Sequence, residues 1–304
     1  MKISRRDFLA SVPIAAVGLT ANSPSAAAYT VPANQNVKWA VSTNIWDQSQ
    51  APYTETLDDM KETGFIGVRL RGFPHILERW GLTLAQLHSQ LSKRGLHAVT
   101  ISFDLRDPDP ARRQQVLDGA RDAMKFLSDF GANHLVVFSP GRKPETSTPA
   151  AFKELCERCN QIGELAVGMG FTAGLHNHMG EMVQTQEEVD RFMAMTDPKL
   201  FGLSPDTAHL DLAGCDVVQT LDRYKNRIRF LDYKDAKRGQ ANFRDSIYDL
   251  GDGEIDFPAC HRILKSVEYR GWICVDLDTT RMGPLADYKR CGDYVVNKLQ
   301  PIYS

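Results

Sequence analysis

The chain has 304 residues, of which 42% are hydrophobic and 24% charged, and its formal net charge is -2. Those proportions suit a folded globular protein and exclude a disordered chain or a broad cationic face for nucleic acid, leaving small polar ligands as the expected partners. The six cysteines, Cys156, Cys159, Cys215, Cys260, Cys274 and Cys291, do not form a disulfide framework at this length.

At the N-terminus, Lys2, Arg5 and Arg6 precede a short apolar stretch, and Ala26, Ala27 and Ala28 offer a small-residue cleavage site. Residues 1–28 therefore read as a signal peptide and residues 29–304 as one mature domain. The stretch Ser4-Arg5-Arg6-Asp7-Phe8-Leu9 resembles a twin-arginine signal, which places the mature protein in the periplasm. No other apolar stretch is long enough to span a bilayer.

Beyond Tyr29 the chain alternates short β-rich runs with longer amphipathic ones. Strands are predicted over 38–42, 67–70, 97–103, 134–138, 172–175, 201–204, 228–231 and 272–275. Helices are predicted over 54–63, 83–93, 111–130, 149–169, 186–195, 217–224, 258–267 and 286–299. Cys156 and Cys159 fall inside one of these helices, away from the helix N-terminus that a redox motif needs. Gly64, Gly95, Gly131 and Gly170 each sit where a helix gives way to a strand, a favoured place for a left-handed cap. Eight βα units imply a parallel sheet closed into a (β/α)8 TIM barrel, a single α/β domain. An open nucleotide-binding sheet is disfavoured because no G-x-G-x-x-G follows the first strand.

In such barrels the reactive groups stand where strands end and βα loops begin. Strand five runs into His176-Asn177-His178-Met179-Gly180-Glu181, and strand six into Asp206-Thr207-Ala208-His209. Strand seven carries Asp232-Tyr233-Lys234-Asp235, and strand eight ends in Asp276-Leu277-Asp278. Strand alternation puts His176 with His178, Asp232 with Lys234, and Asp276 with Asp278 on shared faces. So many carboxylates together would raise one another's pKa, and a divalent cation removes that cost. Imidazole mixed with carboxylate suits Mn2+, Fe2+ or Zn2+.

These motifs, with Val183-Gln184-Thr185 after strand five and Leu250-Gly251-Asp252-Gly253-Glu254 after strand seven, resemble the xylose isomerase-like TIM-barrel sugar isomerase/epimerase superfamily, with the inosose dehydratase branch as the nearest flavour. The resemblance spans essentially the whole mature chain. It implies a divalent metal, Mn2+ ahead of Zn2+, Fe2+ or Co2+, held by His176, Asp206, Asp232 and Asp276. Strand seven departs from the family's H-x-K-D, since Asp232 stands where an imidazole is usual, and Arg69 stands where a glutamate is common. His178 and His209 are then expected as general base or acid, Lys234 as the charge that steadies an enediolate, and Trp46, Arg69, Arg71, Tyr233 and Asp278 as substrate contacts. The expected reaction is proton abstraction beside a carbonyl of a sugar or keto-polyol, ending in isomerisation, epimerisation or dehydration. A sugar-binding barrel without catalysis is the alternative, and a homo-oligomer is compatible with either.

Overall fold

The computed structural model describes residues 31–105 and 109–304. The signal-peptide and twin-arginine readings fall on residues 1–28, outside the described residues. The β-rich runs form parallel strands β1 (Lys38–Ser42), β2 (Gly67–Leu70), β3 (His97–Asp104), β4 (His134–Phe138), β5 (Thr172–His176), β6 (Phe201–Leu203), β7 (Leu231–Tyr233) and β8 (Trp272–Val275). They pair in the order β6-β5-β4-β3-β2-β1-β8-β7. The ring closes between β6 and β7 through parallel bridges Leu203–Ile228 and Asp206–Asp232, with the Asp232 N–H donating to the Pro205 carbonyl at 2.9 Å. This is the (β/α)8 barrel that the alternation predicts.

Helices α1 (Tyr53–Glu62), α2 (Leu84–Ser92), α3 (Arg113–Ser128), α4 (Pro149–Gly168), α5 (Gln186–Met195), α6 (Val217–Tyr224), α7 (Phe257–Ser266) and α8 (Pro284–Tyr294) cover the outside. Thr83 and Thr185 start α2 and α5 as capping boxes with Gln86 and Glu188. Gly64, Gly95, Gly131 and Gly170 take positive φ values of 68° to 79° after their helices, as a left-handed cap requires. Strand seven is the one displaced element. Ile228 only bridges to β6, and the ladder with β8 begins at Leu231 opposite Ile273. The chain crosses from one neighbour to the other between these residues, so the apolar run 228–231 straddles two partial ladders.

The interior is layered. Ala40, Val99, Val136, Phe138, Phe230 and Cys274 pack together as an apolar cluster separate from the larger core between strands and helices. Nearer the C-terminal ends of β1, β2, β5, β7 and β8, inward positions turn polar: Ser42, Arg69, His176, Asp232 and Asp276. The apolar layer is thus a floor beneath a polar cup. Truncating Phe230 to alanine would open that floor at a cost of about 3–5 kcal/mol.

Candidate active site

At the C-terminal mouth, β2, β5, β7 and β8 and the β6 loop each deliver a buried ionisable group. Asp206 caps the short helix Thr207–Leu212, its Oδ1 accepting the His209 N–H at 3.1 Å. That cap occupies one carboxylate oxygen and leaves Oδ2 for the cup, with His209 one turn along the same helix. Asn177 fixes the strand end from behind. It accepts the Asp206 N–H at 3.0 Å and donates to the Asp206 carbonyl at 3.3 Å.

The carboxylates meet two built-in cations. Arg69 grips Asp232 with one guanidinium nitrogen and reaches Asp276 Oδ2 at 2.9 Å with the other. Lys234 Nζ lies 3.0 Å from Asp206, 2.8 Å from Asp276 and 2.6 Å from Asp278. With Arg71 at the rim, four carboxylates face three cations, and the cup stays net negative. Burial pushes Asp206 and Asp232 up to about 6, with neighbouring carboxylates adding to the rise. Burial opposes ionisation of Asp276 as well, yet Lys234 and Arg69 beside it hold its pKa below the usual carboxylate range.

Three imidazoles complete the cup. The ring centroids of His178 and His209 lie 3.8 Å apart, and His209 stacks on Phe243 at 4.8 Å. His176 rests against Phe138 at 4.2 Å, with its Nδ1 3.0 Å from Asp232 Oδ2. Burial, and then the neighbouring imidazole and Lys234, lower His178 to about 4. Burial and the Asp206, Arg69 and Lys234 charges leave His176 at about 3. All are neutral near pH 7. The Met179 peptide sorts the tautomers. Its carbonyl, which can only accept, faces His178 Nδ1 at 2.7 Å, so Nδ1 carries the proton and Nε2 keeps a lone pair. Its N–H donates to His209 Nδ1 at 3.3 Å, so the His209 proton sits on Nε2. Gly180, at φ 82°, turns the chain here, and its carbonyl accepts the Arg142 N–H at 2.7 Å.

The sequence-derived residues divide by placement. His176, His178, Asp206, His209, Asp232, Lys234 and Asp276 converge as expected, and Asp278 and Arg71 join the rim through Asn44. Asn44 donates to Asp278 Oδ1 at 2.7 Å and accepts from Arg71. Arg69 is not at the substrate rim but buried among the carboxylates, with 1% exposure. Trp46 and Tyr233 do not reach the cup. Trp46 is buried, bonds Asp59 through Nε1 at 2.9 Å and stacks on Tyr288. Tyr233 alternates with Asp232 and Lys234, so it points outward against Phe257 and His261. Asn44, Asn177, Phe243 and Glu181 were not anticipated. Burial pushes the Glu181 carboxyl up to about 8, and Ser139 Oγ donates to it at 3.0 Å. For Asn177 the period of the strand was the available sign, because it turns this residue away from the interior toward the end of β6.

These residues fit a divalent cation, though not through the four ligands first expected. One ligand atom each from His176, Asp206 and His209 lies within 4.8 Å of the others, and all three residues are buried. His209 Nε2 has no hydrogen-bond partner and Asp206 Oδ2 has only the Lys234 ammonium at 3.0 Å, so buried donor atoms here remain open to an ion. The net negative charge of the cup favours such an ion. Asp232 and Asp276 stand outside the triad, their Oδ2 atoms turned to Arg69.

A family model described as xylose isomerase-like TIM barrel matches residues 57–290. Inosose dehydratase of Halalkalibacterium halodurans is 27% identical, the match covering 88% of this chain and 96% of that protein. Inosose dehydratase of Lactiplantibacillus plantarum is 25% identical over 83% of this chain and 93% of its own. Among solved structures, the IolI protein with a bound zinc atom shares the fold at a TM-score of 0.73 and 14% identity, over 88% of this chain and 99% of that one.

Proposed function

Because the chain belongs to the xylose isomerase-like TIM barrel family, we propose that it is a sugar-modifying enzyme that removes a proton beside the carbonyl of a keto-polyol and expels water from the neighbouring carbon. The observation that carries this is the His178 tautomer. With Nδ1–H committed to the Met179 carbonyl, Nε2 is a free lone pair on a part-exposed ring above the buried cup.

His176, Asp206 and His209 would hold a divalent ion, whose chemistry when bound is Lewis-acid polarisation of a substrate carbonyl oxygen. The zinc of the IolI neighbour and the mixed imidazole and carboxylate donors support Zn2+, Fe2+ or Mn2+ without selecting among them. His178 Nε2 takes the carbon-bound proton, and the electron pair moves into the carbonyl to give an enediolate. Lys234, kept charged by its three carboxylates, sets positive charge beside the developing oxyanion. The electron pair then returns, the bond to the β-hydroxyl breaks, and His178 delivers its proton to the leaving oxygen. Water and an enone result. One imidazole on one side of the substrate suits dehydration better than epimerisation, which needs proton donors on opposite sides. The inosose dehydratases among the relatives support the same class of substrate. Arg5-Arg6 and the alanine run at 26–28 support export to the periplasm as part of this reading.

The test is incubation of the metal-loaded protein with inososes, 3-keto-sugars and ketoses in heavy water, reading deuterium at carbon and release of an enone. Enone formation with an inosose supports dehydration. No exchange across the panel, with metal content unchanged in Asp206→Ala, would overturn the site.

A further inference from the structure

Arg69 is an unusual tenant for a metal cup. It is 1% exposed on β2, its two terminal nitrogens are held by Asp232 and Asp276, and its NH2 also reaches Ser42 Oγ at 3.4 Å. Its Nε has no hydrogen-bond partner, so the side chain is placed by charge and not by a full set of donors. Both carboxylates keep an Oδ1 with no aligned partner. They are anionic oxygens in a buried cup with ligand chemistry to spare.

We infer that Arg69 serves as an internal counter-ion that keeps Asp232 and Asp276 out of the coordination sphere, so that a divalent ion is held by His176, Asp206 and His209 alone. The inference rests on the metal-dependent reading above. Asp232 then acts from behind. Its Oδ2 faces His176 Nδ1 at 3.0 Å, so it orients the ring whose Nε2 looks toward Asp206 Oδ2 at 3.9 Å. Asp276 is shared between Arg69 and Lys234 and serves both cations. The consequence is an open ion. Three protein ligands leave positions for two substrate oxygens, as in catalytic sites, whereas five would close it. Arg69 also lowers the affinity for the ion by its own charge, which lets substrate oxygens compete for coordination.

The test is a cycle of zinc affinities by calorimetry on the chelated full-length protein, using Arg69→Met, Asp276→Asn and the double variant. Arg69→Met should bind zinc at least about tenfold more tightly than the parent. Asp276→Asn should weaken zinc binding more in the Arg69→Met background, where its oxygen is free to coordinate, than in the parent, where only its charge is lost. Zinc should also raise the Tm of Arg69→Met more than that of the parent, because it replaces the lost guanidinium. Equal or weaker zinc binding by Arg69→Met, or an Asp276→Asn effect that is the same in both backgrounds, overturns the inference. So does a pair of Arg69 variants that remain unfolded with zinc present. If the parent binds no zinc, the metal-dependent function falls and the three-ligand ion falls with it. If the parent binds zinc through Asp206 and Arg69→Met binds no better, the inference alone falls and the metal-dependent function stands.

Discussion

The backbone N–H of Met179 donates to Nδ1 of His209 at 3.3 Å, which is the opposite of what a metal-bound imidazole usually does with its second nitrogen. In this arrangement His209 Nε2 bears a proton aimed toward Asp206 Oδ2, 4.0 Å away. A metal at Nε2 must displace that proton, and a proton on Nδ1 would then confront the Met179 N–H. The Met179 peptide has to turn. Zinc titration followed by 15N correlation spectroscopy should therefore shift the Met179 amide strongly while leaving amides on the outer helices in place. An unmoved Met179 amide at saturating zinc would remove His209 from the triad.

His178 is the residue whose loss should cost most in the chemical step. His178→Ala should slow solvent exchange at carbon by about 10²–10⁴-fold while zinc still binds. The pH profile carries the same signature. With its pKa lowered to about 4 by burial, the base stays unprotonated at neutral pH and is lost only on strong acidification. At saturating metal, which keeps Asp206 ionised although its carboxyl sits at about 6 without the ion, exchange should hold level from pH 7 to 5 and fall near pH 4. A fall near pH 6.5, the ordinary histidine value, would mean that a different, solvated imidazole is the base.

How far the sequence could be read depended on which rule applied. The barrel was legible because amphipathic helices and β-rich runs alternate, and glycines such as Gly131 mark the joints. The converging residues were legible because strand ends were. Tyr233 shows the limit and its cause. Alternation already put Asp232 and Lys234 on one face, and the same rule sends Tyr233 to the other, so its ring was assigned to the pocket on chemistry against its own register. Trp46 failed differently, since it stands on a five-residue helix, Asn44–Gln48, that no periodicity reveals. The role of Arg69 was out of reach because it depends on two aspartates more than 160 positions away along the chain.

Stability should fall on both sides of a mildly acidic optimum, and His134 and Glu181 are among the groups that set its two limbs. Burial lowers His134 to about 3, between Thr172 Oγ1 at 2.8 Å and Ser204 Oγ at 3.0 Å. The unfolded chain then binds the extra proton below about pH 6.5, so stability drops as pH falls from there toward 3. Glu181 works in the other direction. With a folded value of about 8, the folded state holds the proton that the unfolded chain has released, so stability drops as pH rises from about 4.5 through 8. Each group contributes a slope of at most about 1.4 kcal/mol per pH unit in its window. Urea unfolding of Glu181→Gln should make the alkaline limb shallower, most clearly between pH 7 and 8, and leave the acid limb alone. An unchanged alkaline slope would mean that Glu181 is ionised in the folded protein.

Adjacent residues at the end of β7 give the sharpest contrast. Lys234 is 1% exposed and touches Asp206, Asp276 and Asp278, so Lys234→Met leaves three carboxylates short of a counter-charge. Removal of one member of such a buried network costs about 3–5 kcal/mol, and turnover should fall with it because the oxyanion loses its nearest cation. Tyr233→Phe removes a hydroxyl that meets only His261 Nδ1 at 3.3 Å, on the helix side of the strand. It should cost about 1 kcal/mol and leave kcat/KM nearly unchanged. Urea denaturation and steady-state kinetics on the two variants decide between the faces. Comparable losses of kcat/KM in both would mean that Tyr233 reaches substrate after all, and the assignment of β7 faces would have to be reversed.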